Sequence, residues 1–299
     1  VTETQVNQTQ QAGLANATSK ATLYIVATPI GNLKDITYRA VEVLGAVDWI
    51  AAEDTRHTQR LLQALGVNKP LLSLHDHNEQ ARSQQLLEKL QAGESGALVS
   101  DAGTPLINDP GFHLVKLLRQ QGVKVVPIPG PSAVITALCA AGLPTDRFSY
   151  EGFLPAKKQR RLQVLQTLKN DTRTLVFYES PHRLTESLQA MLEVFGGERQ
   201  MVAAREMTKT YEQFVSGSVA EVVAYFESHA DKVRGEFVLM VMGDVVAEAV
   251  CEDEHDALIG ALLKQQLPVK QITDIVVELS GQKKKAVYNR VLALKEGSE

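Results

Sequence analysis

The first half of the chain alternates short apolar runs with amphipathic stretches. The apolar runs are 22–27, 47–52, 71–74, 96–100 and 123–128. They are apolar almost throughout, as strands are when both faces of their sheet are covered. Between them, Thr58–Leu65 and Gln80–Leu90 place apolar residues at helical spacing. This repetition predicts a parallel sheet flanked by helices.

The pattern breaks at Pro127-Ile128-Pro129-Gly130-Pro131, where three prolines and a glycine stop any element. Ser132 then stands where a helix N-cap belongs, and Ala133–Ala141 reads as a short helix of small residues. Beyond Gly142 and Pro144 a second set of strands is predicted at 148–153, 173–178, 200–205, 211–216 and 237–242. Helices are predicted at 157–168, 181–195 and 218–228. Consecutive strands within 200–216 point to a mixed or antiparallel sheet.

The final stretch reads as three short helices, 256–266, 269–279 and 283–294. Pro268 separates the first two, and Gly281 takes the C-cap position of the second. Ile272, Ile275, Val276 and Leu279 share one helical face; Val287, Val291 and Leu294 share another. The arrangement suggests a helix-turn-helix-like module, with a plain helical cap as the alternative. The expected organisation is thus a disordered tail at 1–20, an N-terminal α/β domain at 21–130, a C-terminal α/β domain with a mixed sheet at 131–248, and a helical module at 252–297.

Composition agrees with this plan. A chain of 299 residues accommodates two domains and a small third. Cys139 and Cys251 form no Cys-x-x-Cys pair. Without a signal pattern or an apolar span of membrane length, the expectation is a reduced, cytoplasmic protein. The net charge of −4 argues against a general nucleic-acid binder. The charge is unevenly spread, however. Residues 157–161 hold four positive charges, and residues 264–295 carry seven basic side chains against two acidic ones.

Candidate chemistry collects just after the first-half strands. The five segments are Thr28-Pro29-Ile30-Gly31-Asn32, Glu53-Asp54-Thr55-Arg56-His57, His75-Asp76-His77-Asn78, Ser100-Asp101-Ala102-Gly103-Thr104-Pro105 and 127–132. In an open parallel sheet all lie at the carboxyl edge, where ligands bind. Neither a dinucleotide fingerprint nor a P-loop is present. Gly103 lets backbone approach a ligand, and Asp101 can accept hydrogen bonds from a ribose or an amine. His75 and His77 lack a third partner at ligand spacing, so no metal is expected. Glu53 and Asp54 are candidate bases, although Asp54 also stands where a helix begins. Glu179 reads as a turn or a cleft wall, and Arg205-Glu206 as a structural ion pair.

Taken in order, these segments resemble the bacterial ribosomal RNA small subunit methyltransferase I family. So do Pro129-Gly130-Pro131-Ser132, Phe177-Tyr178-Glu179-Ser180, Ala204-Arg205-Glu206 and Gly235-Glu236. That family is similar to the tetrapyrrole methylases (class III methyltransferases), whose two α/β domains hold S-adenosylmethionine between them. The resemblance implies methyl transfer from S-adenosylmethionine to the ribose 2′-hydroxyl of a cytidine in 16S rRNA, in the decoding region of the small subunit. It implies a homodimer. It implies cofactor contacts at Pro29, Asp101, Ala102, Gly103, Thr104, Ile107, Ser132, Ala133 and Tyr178. Tetrapyrrole enzymes carry Gly-Asp-Pro where this chain has Gly103-Thr104-Pro105. For the proton of the acceptor hydroxyl, Asp54 and Glu179 are the expected catalytic carboxylates, with Glu53, His77 and Glu206 as alternatives. Lys157, Lys158, Arg160 and Arg161, with Lys283, Lys284 and Lys285, are expected to grip RNA phosphates. Two other readings stay open, a tetrapyrrole C-methyltransferase and a non-catalytic ribosome-binding module.

Overall fold

The computed structural model describes residues 21–244 and 255–296. The expected tail at 1–20 and Cys251 lie outside the described residues. The chain divides into two compact units at Gly243/Asp244.

The first unit opens with β1 (Thr22–Val26), α1 (Tyr38–Ala46), β2 (Trp49–Ala52), α2 (Thr55–Ala64), β3 (Leu71–Ser73), α3 (Glu79–Gln91), β4 (Gly96–Val99), α4 (Phe112–Gln120) and β5 (Lys124–Ile128). The strands form one sheet, ordered β3-β2-β4-β1-β5 and parallel throughout. Alternate side chains serve opposite faces. Tyr24, Val26, Ile50, Ala52, Ala97 and Val99 pack with Val43 and Leu44 of α1 and Leu62 of α2. Leu23, Trp49, Ala51 and Leu98 pack with Leu86 and Leu90 of α3 and Leu114 and Leu118 of α4. Both faces are covered, which is why the strand sequences show no polar side. Gly96 lies under Trp49, and a side chain there would collide with the indole.

Chain order makes a crevice in this sheet. β1 and β4 are neighbours, yet their connections diverge. From β1 the chain passes through α1 to β2, beyond β4. From β4 it passes through α4, on the opposite face, to β5 on the far side of β1. Loops that part in this way leave an opening at the carboxyl ends of the two strands.

The unit continues with α5 (Ala133–Ala141), β6 (Phe148–Phe153), α6 (Lys158–Leu168), β7 (Thr174–Glu179), α7 (Leu184–Phe195), β8 (Gln200–Arg205), β9 (Gln213–Ser218), α8 (Val219–Ser228) and β10 (Phe237–Val241). The second sheet is mixed, ordered β6-β7-β10-β8-β9, with only β6 and β7 parallel. One face packs on α6, α7 and α8, and the other on α5 through Val134, Ala137, Leu138 and Ala141. β9 starts at Gln213, two residues later than the sequence pattern predicts. The residues before it turn tightly, with Glu206 and Thr208 at positive φ (51° and 64°), and Tyr211 is left exposed.

The second unit contains α9 (Asp256–Lys264), α10 (Val269–Ser280) and α11 (Lys284–Glu296). Ile259, Ile272, Val276, Val287 and Val291 form its core. Leu279, expected on the buried face, is exposed. Gly281 ends α10 in the left-handed region at φ 68°. Arg290 Nε donates to Asp256 Oδ1 at 2.9 Å, which ties α11 to the start of α9.

Candidate active site

The loops at the crevice are tied together by a reciprocal pair of backbone bonds and three bonds between side chain and backbone. Thr28 N–H donates to the Gly103 carbonyl at 2.9 Å, and Gly103 N–H to the Thr28 carbonyl at 3.0 Å. Thr28 Oγ1 donates to the Ser100 carbonyl at 3.1 Å, and Thr104 Oγ1 to the Pro131 carbonyl at 3.0 Å. Asp54 N–H donates to Asp101 Oδ1 at 3.1 Å. The loops following β1, β2, β4 and β5 therefore make one continuous floor. Gly103 has φ 82°, a conformation that side chains resist, and a Cβ there would stand 3.4 Å from Ile30. A glycine at this position keeps the floor open.

Above the floor lie three cavities that share Ile30 and Glu236 as walls. One, of about 250 Å³, is apolar, with Ala133, Phe153, Tyr178, Met207 and Phe237 in its lining. Beside it a cavity of about 80 Å³ is lined by Ala102, Gly103, Thr104, Ile107, Ser132, Ala133 and Tyr178. The third, of about 400 Å³, is more polar and takes in Pro29, His57, Arg60, Asp101 and Lys209. The walls come from both sheets. Tyr178 is fixed by edge contacts with Tyr150 (ring centroids 4.9 Å apart) and Phe153 (5.7 Å). Ser132 occupies the N-cap position of α5, but its hydroxyl makes no capping bond. All nine residues expected at the cofactor line one or another of these cavities.

The two expected catalytic carboxylates are already engaged. Asp54 caps α2 by accepting from Arg56 N–H at 2.8 Å, and its two oxygens accept from the Arg56 guanidinium at 3.1 and 2.8 Å. Those bonds hold its carboxyl well below the usual carboxylate range. Glu179 borders the apolar cavity, yet its side chain has no exposed surface. It accepts from Ser180 N–H at 2.8 Å and from the Ser187 hydroxyl at 2.5 Å, with Arg183 Nε 3.5 Å away. Both carboxylates brace helix starts.

Glu53 is different. It is half-buried, and no hydrogen bond reaches its carboxylate among the described residues. Burial, reinforced by Asp109, Asp101, Asp76 and Asp54, pushes it up to about 7. Burial likewise pushes Asp109 up to about 6, against a bond from Ser100 and with help from Asp101 and Asp76. His75 and His77 stand 6.0 Å apart, ring centre to ring centre. Among the described residues no group of three or more His, Cys, Asp or Glu side chains could hold a metal ion.

The basic residues also divide. Lys157, Lys158 and Arg160 are exposed at the start of α6, as are Lys283, Lys284 and Lys285 at the start of α11. Arg161 corrects the expectation. Its side chain is 2% exposed and pairs with Glu186 at 2.7 Å, so it is not available to a phosphate. The expected Arg205–Glu206 pair is also replaced. Arg205 Nε donates to the Arg234 carbonyl at 2.8 Å, while Glu206 accepts from Lys209 Nζ at 2.8 Å and from Glu236 N–H at 3.0 Å. β8 ends at Arg205, and Glu206 turns away from it in the left-handed region at φ 51°, which separates the two side chains. Lys209 and Glu236 line the polar cavity, and the pattern of apolar and polar positions alone did not mark them. Their signal was the Gly235-Glu236 dipeptide, where a side chain on Gly235 would collide with Glu206.

Comparison with known proteins places this geometry. Residues 22–223 match the model of the Tetrapyrrole (Corrin/Porphyrin) Methylases. The solved uroporphyrin-III-C-methyltransferase of Thermus thermophilus superposes with a TM-score of 0.52 at 21% identity, covering 76% of this chain and 96% of that one. A diphthine synthase gives 0.56 at 14% identity, covering 74% and 90%. Fold and cleft thus define an S-adenosylmethionine-dependent methyltransferase of the tetrapyrrole methylase class. Residues 249–295 match a second model, the RsmI C-terminal HTH domain. Ribosomal RNA small subunit methyltransferase I of Escherichia coli O157:H7 is 54% identical over 92% of this chain and 96% of its own length. The enzymes of that name from Vibrio cholerae and Pseudomonas aeruginosa are 52% and 49% identical, over 89% and 92% of this chain and 92% and 98% of their own. The chain belongs to the ribosomal RNA small subunit methyltransferase I family.

Proposed function

We propose that this protein transfers the methyl group of S-adenosylmethionine to the ribose 2′-hydroxyl of a cytidine in the 16S RNA of the small ribosomal subunit, acting in the cytoplasm as a homodimer. The observation that carries the reading is near-full-length identity of about 50% to enzymes named for small-subunit rRNA, joined to a helical module of the same family.

The cleft fits the cofactor. Gly103 leaves the space that a Cβ would fill, and the apolar cavity beside it suits a flat, uncharged ring. Gly103, Thr104, Ser132, Ala133 and Tyr178 would hold it, with Pro29, Asp101, Ala102 and Ile107 at its borders. When bound, S-adenosylmethionine supplies a methyl group on a sulfonium, whose S–C bond breaks as the O–C bond forms, leaving a neutral thioether. The chain's own task is to align the acceptor oxygen and take its proton. Because Asp54 and Glu179 are engaged in structural bonds, we assign the proton to Glu53, which lines none of the three cavities but has no donor of its own among the described residues and stands next to Asp54, whose N–H is held by Asp101 of the cleft wall. Lys157, Lys158, Arg160 and Lys283–Lys285 meet phosphates of the subunit.

The test is incubation with labelled S-adenosylmethionine and small subunits from a strain lacking this methylation. Label on a cytidine 2′-oxygen is expected. Label on carbon of a tetrapyrrole, or cofactor binding without turnover, overturns the reading.

A further inference from the structure

The polar cavity of about 400 Å³ shares Ile30, Ala102 and Glu236 with the smaller chamber assigned to the cofactor, and has its own chemistry. The loop after β4 stands between them. Gly103 and Thr104 face the smaller chamber, while Asp101 faces the larger one.

Three kinds of wall meet in the larger chamber. His57 and Arg60, three residues apart on α2, present one basic face. Both are exposed, and neither side chain has a hydrogen-bond or ion-pair partner among the described residues. Lys209, by contrast, is held by Glu206 at 2.8 Å and Glu236 at 3.2 Å. The uncommitted positive charge therefore lies on α2. Asp101 and Glu236 supply carboxylates that can accept from hydroxyl groups. Leu33 and Leu61 supply apolar surface.

A basic face, hydroxyl acceptors and an apolar patch match the three parts of a ribonucleotide, which are phosphate, ribose and base. We propose that this chamber receives the acceptor nucleotide, swung out of its strand, with its phosphate on Arg60 and His57 and its ribose toward Asp101 and Glu236. Enzymes that act on a base within structured nucleic acid commonly extrude that nucleotide into a pocket, and the same movement would carry its ribose here. The shared Ile30–Ala102–Glu236 wall would bring the ribose next to the donor chamber. The inference rests on the rRNA reading above.

Arg60→Gln tests it, because an exposed side chain without partners can be changed with the fold intact. The expected result is a rise of about tenfold in KM for small subunits, as for loss of one charge-assisted phosphate bond. The dissociation constant for S-adenosylmethionine, measured by calorimetry, should stay within twofold of wild type, roughly the scatter of a neutral surface change. Filter retention of subunits should weaken in parallel, and Arg60→Lys should recover part of the loss. Unchanged KM and retention would overturn the assignment. So would weakened cofactor binding with normal RNA binding, which would give the chamber to the cofactor. A wild-type enzyme inert toward subunits would instead bring down the rRNA reading itself, and this proposal with it.

Discussion

Glu53 is charged at a cost. Its carboxylate is raised to about 7 by burial and by four neighbouring acids, while an unfolded glutamate titrates near 4.5. The folded chain therefore holds an extra proton between those values, and stability falls as pH rises through that window. The penalty is absent below about pH 4.5 and complete above about pH 7. Glu53→Gln should consequently melt higher than wild type at pH 8 and no higher at pH 4, by calorimetry at matched ionic strength. As the assigned base it should also lose roughly 10²- to 10⁴-fold in kcat, together with any acid limb near neutrality. A variant that keeps its rate rules out the base assignment, whatever its melting point. Asp54 shows how far sequence reasoning reaches at this scale. Its two possible roles, base and helix cap, are both legible, and only the Arg56 bonds decide for the cap. Glu53, one position earlier, is distinguished by what fails to contact it, and no local motif records that.

At the scale of elements, the apolar runs locate the strands well because both faces of each sheet are covered. The pattern misplaces the start of β9 because Tyr211 has the composition of a strand residue but sits in a turn set by positive φ at Glu206 and Thr208. Thr58–Leu65 and Gln80–Leu90 fall in α2 and α3, and α1 and α4 carry apolar residues at the same helical spacing. α4 has Gly111 at its N-cap position and so no side-chain cap of its own. Its cap is remote, since Glu79 at the head of α3 accepts from Gly111 N–H at 2.9 Å and His113 N–H at 2.8 Å. A cap borrowed across 32 residues leaves no local signature. Glu79 is buried, so Glu79→Ala would strand these amides and should cost about 2–3 kcal/mol in denaturant unfolding. Glu79→Gln, which keeps an acceptor, should cost less. Equal stability of Glu79→Ala and wild type would show that the bonds contribute nothing.

At the scale of the molecule, the acidic total conceals two basic regions, at the start of α6 and at the start of α11. Lys284 pairs with Asp274 at 2.6 Å, but that pair is largely exposed and leaves the lysine within reach of a partner. Replacing Lys283, Lys284 and Lys285 together by Ala should weaken subunit binding at moderate salt and flatten its salt dependence, by up to roughly one unit of slope for each phosphate no longer neutralised. Retention curves that superpose on wild type across the salt series would remove the module from the RNA interface. The cleft needs both halves of the first unit, and loop convergence in the first half is readable from the strand order alone. From the second half, the resemblance supplies Ser132, Ala133, Tyr178 and the Gly235-Glu236 dipeptide, whereas Met207 and Phe237 join the cleft through three-dimensional proximity only. The reciprocal bonds between Thr28 and Gly103 carry a further consequence. They join main-chain atoms, so they survive almost any change of side chain at Thr28. A crevice fastened in that way can keep its shape while its lining drifts. Solved structures sharing only 14–21% of their residues with this chain keep its fold.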